Sequence, residues 1–397
     1  MNDNTETPRR RPLEALERLV DLRWSSADRA MIRTFLDCYY ASTATEDLTT
    51  RQPAMLYGAA VSHWRLGDRR PRGEIALRVY NPDPEQDGWE STHSIVQIVA
   101  DDQPFLIDSL SMAMNEQGLM IHLITHPVLE VVRNTDRRAT KVSDRSTSDG
   151  DPEAWIHIEV DRQATAQQLQ SLEDVVRDTL RDVEVAVADW QSMHRQAQQA
   201  RRSLKRQAPT ADDDYPAEVD AFLEWMLDEH FTFLGYRRYD LRRVDGTMRL
   251  QAVKDTGLGL LRADRNAHRL SQSFEALPPA LREQASDPDP LILTKSSHRS
   301  TVHRHGYMDT IGVKRFNAQG EVIGEHRFLG LYTSGAYSRN PRKIPLLRRK
   351  VAAVLERAGL RSNSHAGKAL VHILETYPRD ELFEIDSQTL YETALGI

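Results

Sequence analysis

The stretch that decides the fold of the first half of the chain is Thr92–Arg133, THSIVQIVADDQPFLIDSLSMAMNEQGLMIHLITHPVLEVVR. Its first apolar run, Ile95–Val99, shows little periodicity, which is typical of a strand buried on both faces. Asp101 and Asp102 end this run, and either carboxylate could accept hydrogen bonds from the free amides of a following helix. Pro104 stands where a missing N–H costs nothing. The pattern predicts a strand that leads into an aspartate-capped helix.

The second part of the same stretch predicts a helix stop and another strand. Gly118 is placed to take the left-handed conformation that ends a helix, and Met120–Val132 is rich in β-branched residues. One face of the intervening helix is apolar, at Leu106, Leu110, Ala113 and Met114. The whole stretch therefore predicts a β-α-β unit, and it contains no catalytic signature.

The flanking segments extend this unit to a module over about residues 74–207. Glu74–Tyr80 alternates as a strand, and we expect it to complete the sheet from the N-terminal side. A charged loop is expected over Asn134–Pro152, and a long amphipathic helix from Ala166 that continues to Gln207. Ala154–Val160 predicts a strand that places three large side chains on one face: Trp155, His157 and Glu159.

The second half of the chain predicts an antiparallel sheet over about residues 215–340. A linker around APTADDDYP precedes it, and Asn317–Gly320 is expected to form the loop of a long hairpin. The predicted strands are Phe231–Leu241, Arg249–Val253, Leu291–Thr294, Met308–Phe316 and Glu321–Leu331. A helix followed by such a strand-rich run suggests a sheet of the PAS or GAF type.

The two ends of the chain are predicted to be helical. Residues 1–70 are expected to form a polar, disordered tail of about 12 residues followed by helices. Residues 342–397 are expected to form a helical connector and the start of a further domain, in which the chain stops. The predicted fold class is α+β, with several domains.

Composition excludes several classes of protein. Charged residues make up 28% of the chain and the net charge is -7, which argues against a general nucleic-acid binder. The single cysteine, Cys38, cannot form an internal disulfide, which fits a reducing cytoplasm. No apolar run reaches the roughly 18 residues that a membrane span needs. We therefore expect a cytoplasmic protein without membrane or nucleic-acid partners.

Several long stretches resemble one known family. The β-α-β unit resembles the small regulatory modules called ACT domains, and ADDQPFLIDSLSMAMNEQGLMIHLITHPVL is similar to the N-terminal region of the large bacterial NAD-dependent glutamate dehydrogenases. Five later stretches are similar to the same family in the same order: DEHFTFLGYRRYDL, LTKSSHRSTVHR, IGVKRFNAQGEVIGEHRFLGLYTS, IPLLRRKVAAVLERAG and HAGKALVHILETYPRDELF. The resemblance runs from about Leu36 to the end of the chain.

This resemblance implies an ACT-like βαββα module followed by a PAS-like module. It implies a parent enzyme that oxidises L-glutamate to 2-oxoglutarate and ammonia with NAD. The partners it implies are the catalytic domain of that enzyme, further copies in a homo-oligomer, and an amino-acid effector. No cofactor is expected in this chain, because TGLGLLR lacks the third glycine of a dinucleotide site, and neither a P-loop nor a nucleophile elbow is present. We expect no catalytic residues.

ACT modules usually hold an amino acid at the turn before the helix, because free amides at a helix N-terminus favour a carboxylate. The candidates for effector binding are Asp102, Asp108 and Ser109, together with His126 at the strand end. Pro104 and Phe105 stand where such sites commonly have glycine, so capping and subunit packing remain the alternative. His122 and His126 would lie about 13 Å apart on one strand, which is too far to share a metal ion.

The densest polar cluster in the sequence is KSSHRSTVHRH, residues 295–305. Basic and hydroxyl side chains interleaved in this way suit a phosphate, a carboxylate or an acidic patch on a partner subunit. The candidates are Lys295, Arg299, Ser300 and His303. A solvated surface loop is the alternative interpretation.

Two functions remain open from the sequence. The first is a regulatory and oligomerisation segment of a large NAD-dependent glutamate dehydrogenase. The second is a stand-alone sensor of amino acids or small anions that signals to a separate partner.

Overall fold

The structure is a computed structural model that describes residues 6–144, 150–207, 215–244, 247–262, 289–361 and 364–396. The chain divides into two compact units, Met1–Arg181 and Asp182–Ile397. Each unit contains helices and one antiparallel sheet, so the predicted α+β, multidomain class is confirmed. Within these described ranges no helix combines the length and the apolar character that crossing a bilayer requires.

The first unit begins with four helices. They are α1 (Glu6–Arg23), α2 (Ser26–Tyr39), α3 (Thr45–Thr49) and α4 (Pro53–Gly67). The expectation of a disordered tail over the first 12 residues is wrong from Glu6 onwards. Arg9 explains the difference, because its guanidinium donates to the backbone oxygens of Tyr40, Ala41 and Thr43, at the end of α2. A long-range contact thus fixes a segment whose local sequence is polar.

Six strands form the sheet of the first unit, in the order β1-β2-β6-β4-β5, and β3 also pairs with β6. The strands are β1 (Ala76–Tyr80), β2 (Ser94–Asp101), β3 (Ile121–Thr125), β4 (Val128–Arg133), β5 (Ala139–Asp144) and β6 (Asp151–Val160). Two further helices belong to this region of the sequence, α5 (Leu106–Glu116) and α6 (Ala166–Gln207), and α6 includes the division between the units. Strand β6 is central, since β2 pairs with one edge and β3 and β4 pair with the other.

Several features of the predicted β-α-β unit are confirmed. Strand β2 is buried along almost its whole length, Gly118 has a φ of +72° just after α5, and the predicted strand Glu74–Tyr80 pairs antiparallel with β2 as β1. Both β2 and β3 run antiparallel to β6, so they are parallel to each other with β6 between them. The expected strand Met120–Val132 is divided in two at His126 and Pro127.

Two expectations about connections are wrong. The segment Asn134–Pro152 is not all loop, because Ala139–Asp144 pairs with β4 as β5. The aspartate cap of α5 is also wrong, because the N-cap residue is Phe105, in the left-handed conformation with a φ of 72°. Asp101 belongs to β2 instead, and its carboxylate accepts a hydrogen bond of 2.6 Å from Arg70.

Aromatic packing joins the sheet of the first unit to its N-terminal helices. Trp155 of β6 is fully buried and stacks on Trp64 of α4, with ring centroids 6.0 Å apart. Phe35 of α2 meets the edge of the same indole at 5.1 Å. The face of β6 that carries Trp155 therefore looks toward α2 and α4, and His157 and Glu159 share that face by strand alternation.

The second unit contains the second antiparallel sheet, in the order β10-β11-β12-β7-β8, with β9 paired to β7. Its strands are β7 (Phe231–Val244), β8 (Thr247–Ala252), β9 (Leu258–Gly259), β10 (Leu291–Arg299), β11 (Tyr307–Phe316) and β12 (Val322–Tyr332). All five predicted strands are present, and β9 is an addition. The predicted hairpin loop lies between β11 and β12, where Gly320 has a φ of +79°. Most of the predicted linker, residues 208–214, lies outside the described residues.

Helices precede and follow this second sheet. They are α7 (Tyr215–Trp225), α8 (Ser334–Ser338), α9 (Leu347–Ala358), α10 (His365–Thr376), α11 (Arg379–Glu384) and α12 (Ser387–Gly396). A short π-type turn, Met226–His230, connects α7 to β7. Helices α7 and α9–α12 share one apolar core with the sheet, in which Phe383 stacks on Tyr332 at 4.4 Å between ring centroids. The C-terminal helices are thus part of the same folded unit as the sheet.

Candidate functional site

The turn predicted to hold an effector places its candidate residues in different surroundings. Ser109 is fully buried on α5, whereas Asp108 is exposed and Asp102 is half-buried. His126 lies in the link between β3 and β4, and burial lowers its pKa while the charge of Asp102 opposes that shift. The structure thus places Asp102 and His126 within electrostatic reach of each other, and Ser109 in the interior.

The polar cluster at residues 295–305, which we call the Lys295 cluster, has ion-pair partners within the second unit. Lys295 pairs with Asp309 at 2.5 Å and with Asp380 at 3.3 Å. Burial raises the pKa of Asp309, although the hydrogen bond from Lys295 opposes that shift. The negative charges of Asp309 and Asp380 offset the positive charge of Lys295, which would otherwise be available to an anionic ligand.

The other three members of this cluster serve the local chain in different ways. Arg299 contacts His305 and lies over the ring of Tyr307, 5.1 Å from its centroid. Ser300 is buried and its hydroxyl donates to the backbone oxygen of Val302 at 2.6 Å. His303 has a φ of 76°. Lys295 and Arg299 therefore have separate partners, which weakens the prediction of a shared anion site.

The glycines of TGLGLLR have a packing role. A Cβ on Gly257 would lie 2.1 Å from the backbone oxygen of Leu261, and one on Gly259 would lie 2.2 Å from that of Leu234. Gly259 also has a φ of +58°. The close approach of β9 to β7 accounts for Gly259, and the approach of the backbone at Leu261 accounts for Gly257. Among the described residues, no group of three or more His, Cys, Asp or Glu side chains is arranged to hold a metal ion.

A cavity in the first unit is a candidate site that the sequence did not reveal. Its volume is about 420 Å³, and we call it the Glu159 pocket. The lining comes from the end of α2, from α3 and α4, from the loop Trp89–His93, and from strands β3 and β6. Its polar side chains include Thr43, Arg51, His93, Thr125, His157 and Glu159.

Glu159 is the charged centre of this pocket. It is 7% exposed, and its Oε2 accepts a hydrogen bond from Arg51 Nη2 at 2.9 Å. His93 Nδ1 lies 3.5 Å from the same oxygen, and His157 Nε2 lies 3.6 Å from Oε1. Burial alone would raise the pKa of Glu159, but the nearby His157 and the ion pair with Arg51 outweigh burial and lower it to about 2. Glu159 is therefore a carboxylate at neutral pH.

Further imidazoles continue from this centre toward the surface. The rings of His93 and His122 are 4.2 Å apart between centroids, and His122 Nε2 lies 2.8 Å from Asp161 Oδ1. The hydrogen bonds from Met120 and His122 lower the pKa of Asp161. His122, which the sequence places too far from His126 to share a metal ion, therefore pairs with the carboxylate of Asp161.

One signal for the pocket was present in the sequence. The strand Ala154–Val160 places His157 and Glu159 on the face of Trp155, and a strand buried on both faces has no solvent into which to direct a charge. The remaining lining residues come from distant segments, so only the fold brings them together.

Comparison with known proteins agrees with the predicted resemblance. Residues 35–176 match the family described as glutamate dehydrogenase, ACT1 domain, and residues 344–397 match glutamate dehydrogenase, helical motif 1. The chain is 38% identical to an NAD-specific glutamate dehydrogenase of Halomonas elongata, over 97% of this chain and 24% of that protein. It is 34% identical to an NAD-specific glutamate dehydrogenase of Pseudomonas aeruginosa, over 93% of this chain and 23% of that protein.

A third relative is more distant. It is an NAD-specific glutamate dehydrogenase of Mycobacterium tuberculosis, 28% identical over 87% of this chain and 20% of that protein. The chain thus spans about a quarter of the length of the curated relatives it matches. The Glu159 pocket lies within the region that matches the ACT1 domain. The resemblance expected from the sequence is confirmed: this chain is similar to about a quarter of the NAD-specific glutamate dehydrogenases, and it matches their ACT1 domain and helical motif 1.

Proposed function

We propose that the chain is a regulatory and assembly segment of an NAD-dependent glutamate dehydrogenase. The observation that carries this proposal is the match of residues 35–176 to the ACT1 domain, within a chain that aligns with about a quarter of the length of its NAD-specific relatives. The parent enzyme would oxidise L-glutamate to 2-oxoglutarate and ammonia with NAD, in the cytoplasm. The catalytic region and the NAD site would belong to the other three quarters.

The physical task of such a segment is to favour one arrangement of the parent enzyme over another. A ligand or partner does this only when it binds one arrangement more tightly than the other. In the first unit the effector would be a small molecule. Subunit contacts would involve apolar side chains that are exposed here, such as Leu22 and Met120, which are 82% and 64% exposed. The parent enzyme would then be a homo-oligomer.

The predicted effector residues Asp102, Asp108, Ser109 and His126 remain candidates within this proposal. Asp102 and His126 are the better pair, because Asp102 acts electrostatically on His126 and both are partly accessible. Lys295, Arg299, Ser300 and His303 are proposed as interface residues rather than as an anion site, because Lys295 is already paired with two carboxylates.

Activity measurements on the purified chain test the assignment. We expect no formation of NADH from L-glutamate and NAD by this chain alone. In an enzyme that also contains the catalytic region, deletion of residues 35–176 should retain NADH formation while changing its response to effectors or the subunit number. NADH formation by the 397-residue chain itself would contradict the proposal.

A stand-alone small-molecule sensor is the second candidate, and the Glu159 pocket favours it because the pocket is complete within one unit. The reading frame of the gene separates the two functions. A frame that continues into a catalytic region supports the regulatory segment, and a stop codon directly after Ile397 supports the sensor.

A further inference from the structure

Buried polar atoms without protein partners converge on the Glu159 pocket. Thr43 Oγ1, Thr125 Oγ1 and His157 Nε2 each lack a hydrogen-bond partner. The three residues are 8%, 2% and 2% exposed, and all of them line the cavity. Trp89 Nε1, on a fourth lining residue, also lacks a hydrogen-bond partner. Native proteins leave few buried polar atoms unpaired, so such a group in one cavity needs an explanation. A bound molecule that supplies the missing partners is such an explanation.

The hydrogen bonds of His157 define what its free nitrogen offers. Gln97 Nε2 lies 3.3 Å from His157 Nδ1 and also donates to the backbone oxygen of Ala59 at 2.9 Å. The amide oxygen of Gln97 accepts from the hydroxyls of Ser62 and Tyr80, which fixes the orientation of the amide. Since Nδ1 accepts a hydrogen bond from Gln97, the proton of a neutral imidazole is assigned to Nε2. His157 therefore presents an N–H donor to the cavity.

Glu159 presents an acceptor beside this donor. Its Oε2 is occupied by Arg51, whereas Oε1 faces His157 Nε2 across 3.6 Å, which is too long for an ordinary hydrogen bond. Thr125 pairs with His157 across β3 and β6, so its hydroxyl lies next to the imidazole. One wall of the cavity thus offers an N–H donor, a carboxylate acceptor and a hydroxyl side by side.

The charges around the cavity disfavour an anionic ligand. Asp47, Glu90 and Glu159 line it, while Arg51 is the arginine among its lining residues. Arg51 already contacts two of these carboxylates, Glu159 at 2.9 Å and Asp47 at 3.5 Å. An added carboxylate or phosphate would meet this negative field without an uncommitted arginine. An uncharged ligand avoids that repulsion.

The size and the remaining walls suit a small planar molecule. A volume of about 420 Å³ lies in the range of small-molecule sites, and Met55, Leu56, Leu123 and the indole of Trp89 supply apolar surface. A planar edge with a carbonyl or ring nitrogen next to an N–H would accept from His157 and donate to Glu159. Carboxamides and nucleobases have such an edge.

We propose that the Glu159 pocket binds an uncharged small molecule through a carboxamide-type or nucleobase-type edge, which accepts from His157 and donates to Glu159. The Glu159 pocket lies on the face of the sheet that carries Trp155 and packs against α2 and α4. It is separate from the turn before α5, where the effector residues were predicted. The proposal does not depend on the glutamate dehydrogenase assignment, because it follows from the cavity and its polar atoms alone.

Matched pairs of neutral and anionic probes test the proposal on the full 397-residue chain. The pairs are nicotinamide with nicotinate, and adenosine with adenosine monophosphate, titrated at millimolar concentration by calorimetry and by thermal denaturation. We expect at least one neutral member to bind and to raise the melting temperature, since a ligand of the folded state stabilises it by mass action. Its anionic counterpart should bind more weakly. Equal or tighter binding of both anionic members, or no binding of any probe, would overturn the proposal in favour of a water-filled cavity or a different ligand class.

Two variants connect such binding to the pocket. Thr125→Val keeps the side-chain shape and removes the unpaired hydroxyl, so the free protein should melt at the same temperature or higher, while probe affinity falls about threefold to tenfold. Glu159→Gln should narrow the preference for the neutral member of each pair. Thr140→Val is the control, because Thr140 is an exposed strand residue outside the cavity. The affinity of this variant for the probes should equal that of the unchanged protein. Unchanged affinity in Thr125→Val would overturn the placement of the ligand.

Discussion

Replacement of Glu153 by Gln should destabilise the first unit strongly. Glu153 of β6 is 1% exposed, and its carboxylate joins two arginines. Arg70 Nη2 lies 2.9 Å from Oε1, and Arg133 donates to both oxygens at 2.8 and 2.9 Å. The same arginines bind the backbone oxygens of Gly67, Asp68 and Glu74. One carboxylate thus connects β6 to β4 and to the segment that leads from α4 to β1.

The magnitude follows from what remains after the substitution. Loss of one partner of a buried ion pair typically costs about 3–5 kcal/mol, because the other charge stays buried without compensation. Arg70 keeps its contact with Asp101 at 2.6 Å, and the side chain of Arg133 is 13% exposed, so both arginines retain some compensation. We therefore expect about 3 kcal/mol, at the lower end of that range. For a unit of this size that corresponds to a melting temperature lowered by roughly 6–12 °C.

Urea and thermal unfolding followed by circular dichroism measure this difference. Glu74→Gln is the matched control, because Glu74 has an exposed side chain next to the same network and only its backbone oxygen binds Arg70. The control should change the free energy of unfolding by less than about 0.5 kcal/mol. If Glu153→Gln remained within about 1 kcal/mol of the unchanged protein, the network would not hold the unit together and the argument from buried charge would fail.

Three further predictions concern pH and glycine positions. Burial lowers the pKa of His63 to about 3, below its ordinary 6.5, so stability should fall as the pH falls from 6.5 toward 3, and His63→Gln should reduce that slope in pH-dependent melts; an unchanged slope would contradict it. The pKa of Glu159 is lowered from 4.5 to about 2, against the effect of burial, by His157 and Arg51, so its stabilising contribution is present above pH 4.5 and is lost as the pH falls toward 2. Glu159→Gln should weaken the dependence of the free energy of unfolding on pH between 4.5 and 2. An unaltered acid transition would show that the ionisation of Glu159 is not coupled to folding. Gly67→Ala should cost about 2–3 kcal/mol, because the new Cβ would lie 2.3 Å from the Trp155 ring. Gly118→Ala, in open space with a φ of +72°, should cost about 1 kcal/mol from backbone strain alone, and equal losses in urea unfolding would refute the packing argument.

The parts of the fold that local sequence determines were predictable. The strand Ile95–Val99, the stop at Gly118 and the hairpin loop at Gly320 follow from burial patterns and from positive φ angles that glycine favours. The features that the sequence did not reveal depend on distant contacts. Strand β5 has exposed charged residues and is fixed by pairing with β4, and the left-handed Phe105 takes the place of the expected aspartate cap.

The Glu159 pocket shows the same limit for the candidate site. Its polar wall comes from β3 and β6, whereas Thr43 and Arg51 come from the chain before the sheet begins. No spacing along the sequence relates these residues, since Arg51 and Glu159 are 108 positions apart. The alternation of Trp155, His157 and Glu159 was visible, but only the buried face against α2 and α4 gives it a chemical meaning.

The central position of β6 constrains the order in which the first unit can form during synthesis. Strands β2, β3 and β4 leave the ribosome before β6, yet β2 and the β3–β4 segment are joined only through it. Until residue 160 is available, the growing chain holds two groups of strands with unpaired edges, which are prone to mispair with other chains. A nascent chain stopped before Asp151 should therefore need chaperone protection, whereas one that extends past α6 should not. Formation of the pocket would be the last step of the same process, because His157 and Glu159 arrive with the strand that closes the sheet.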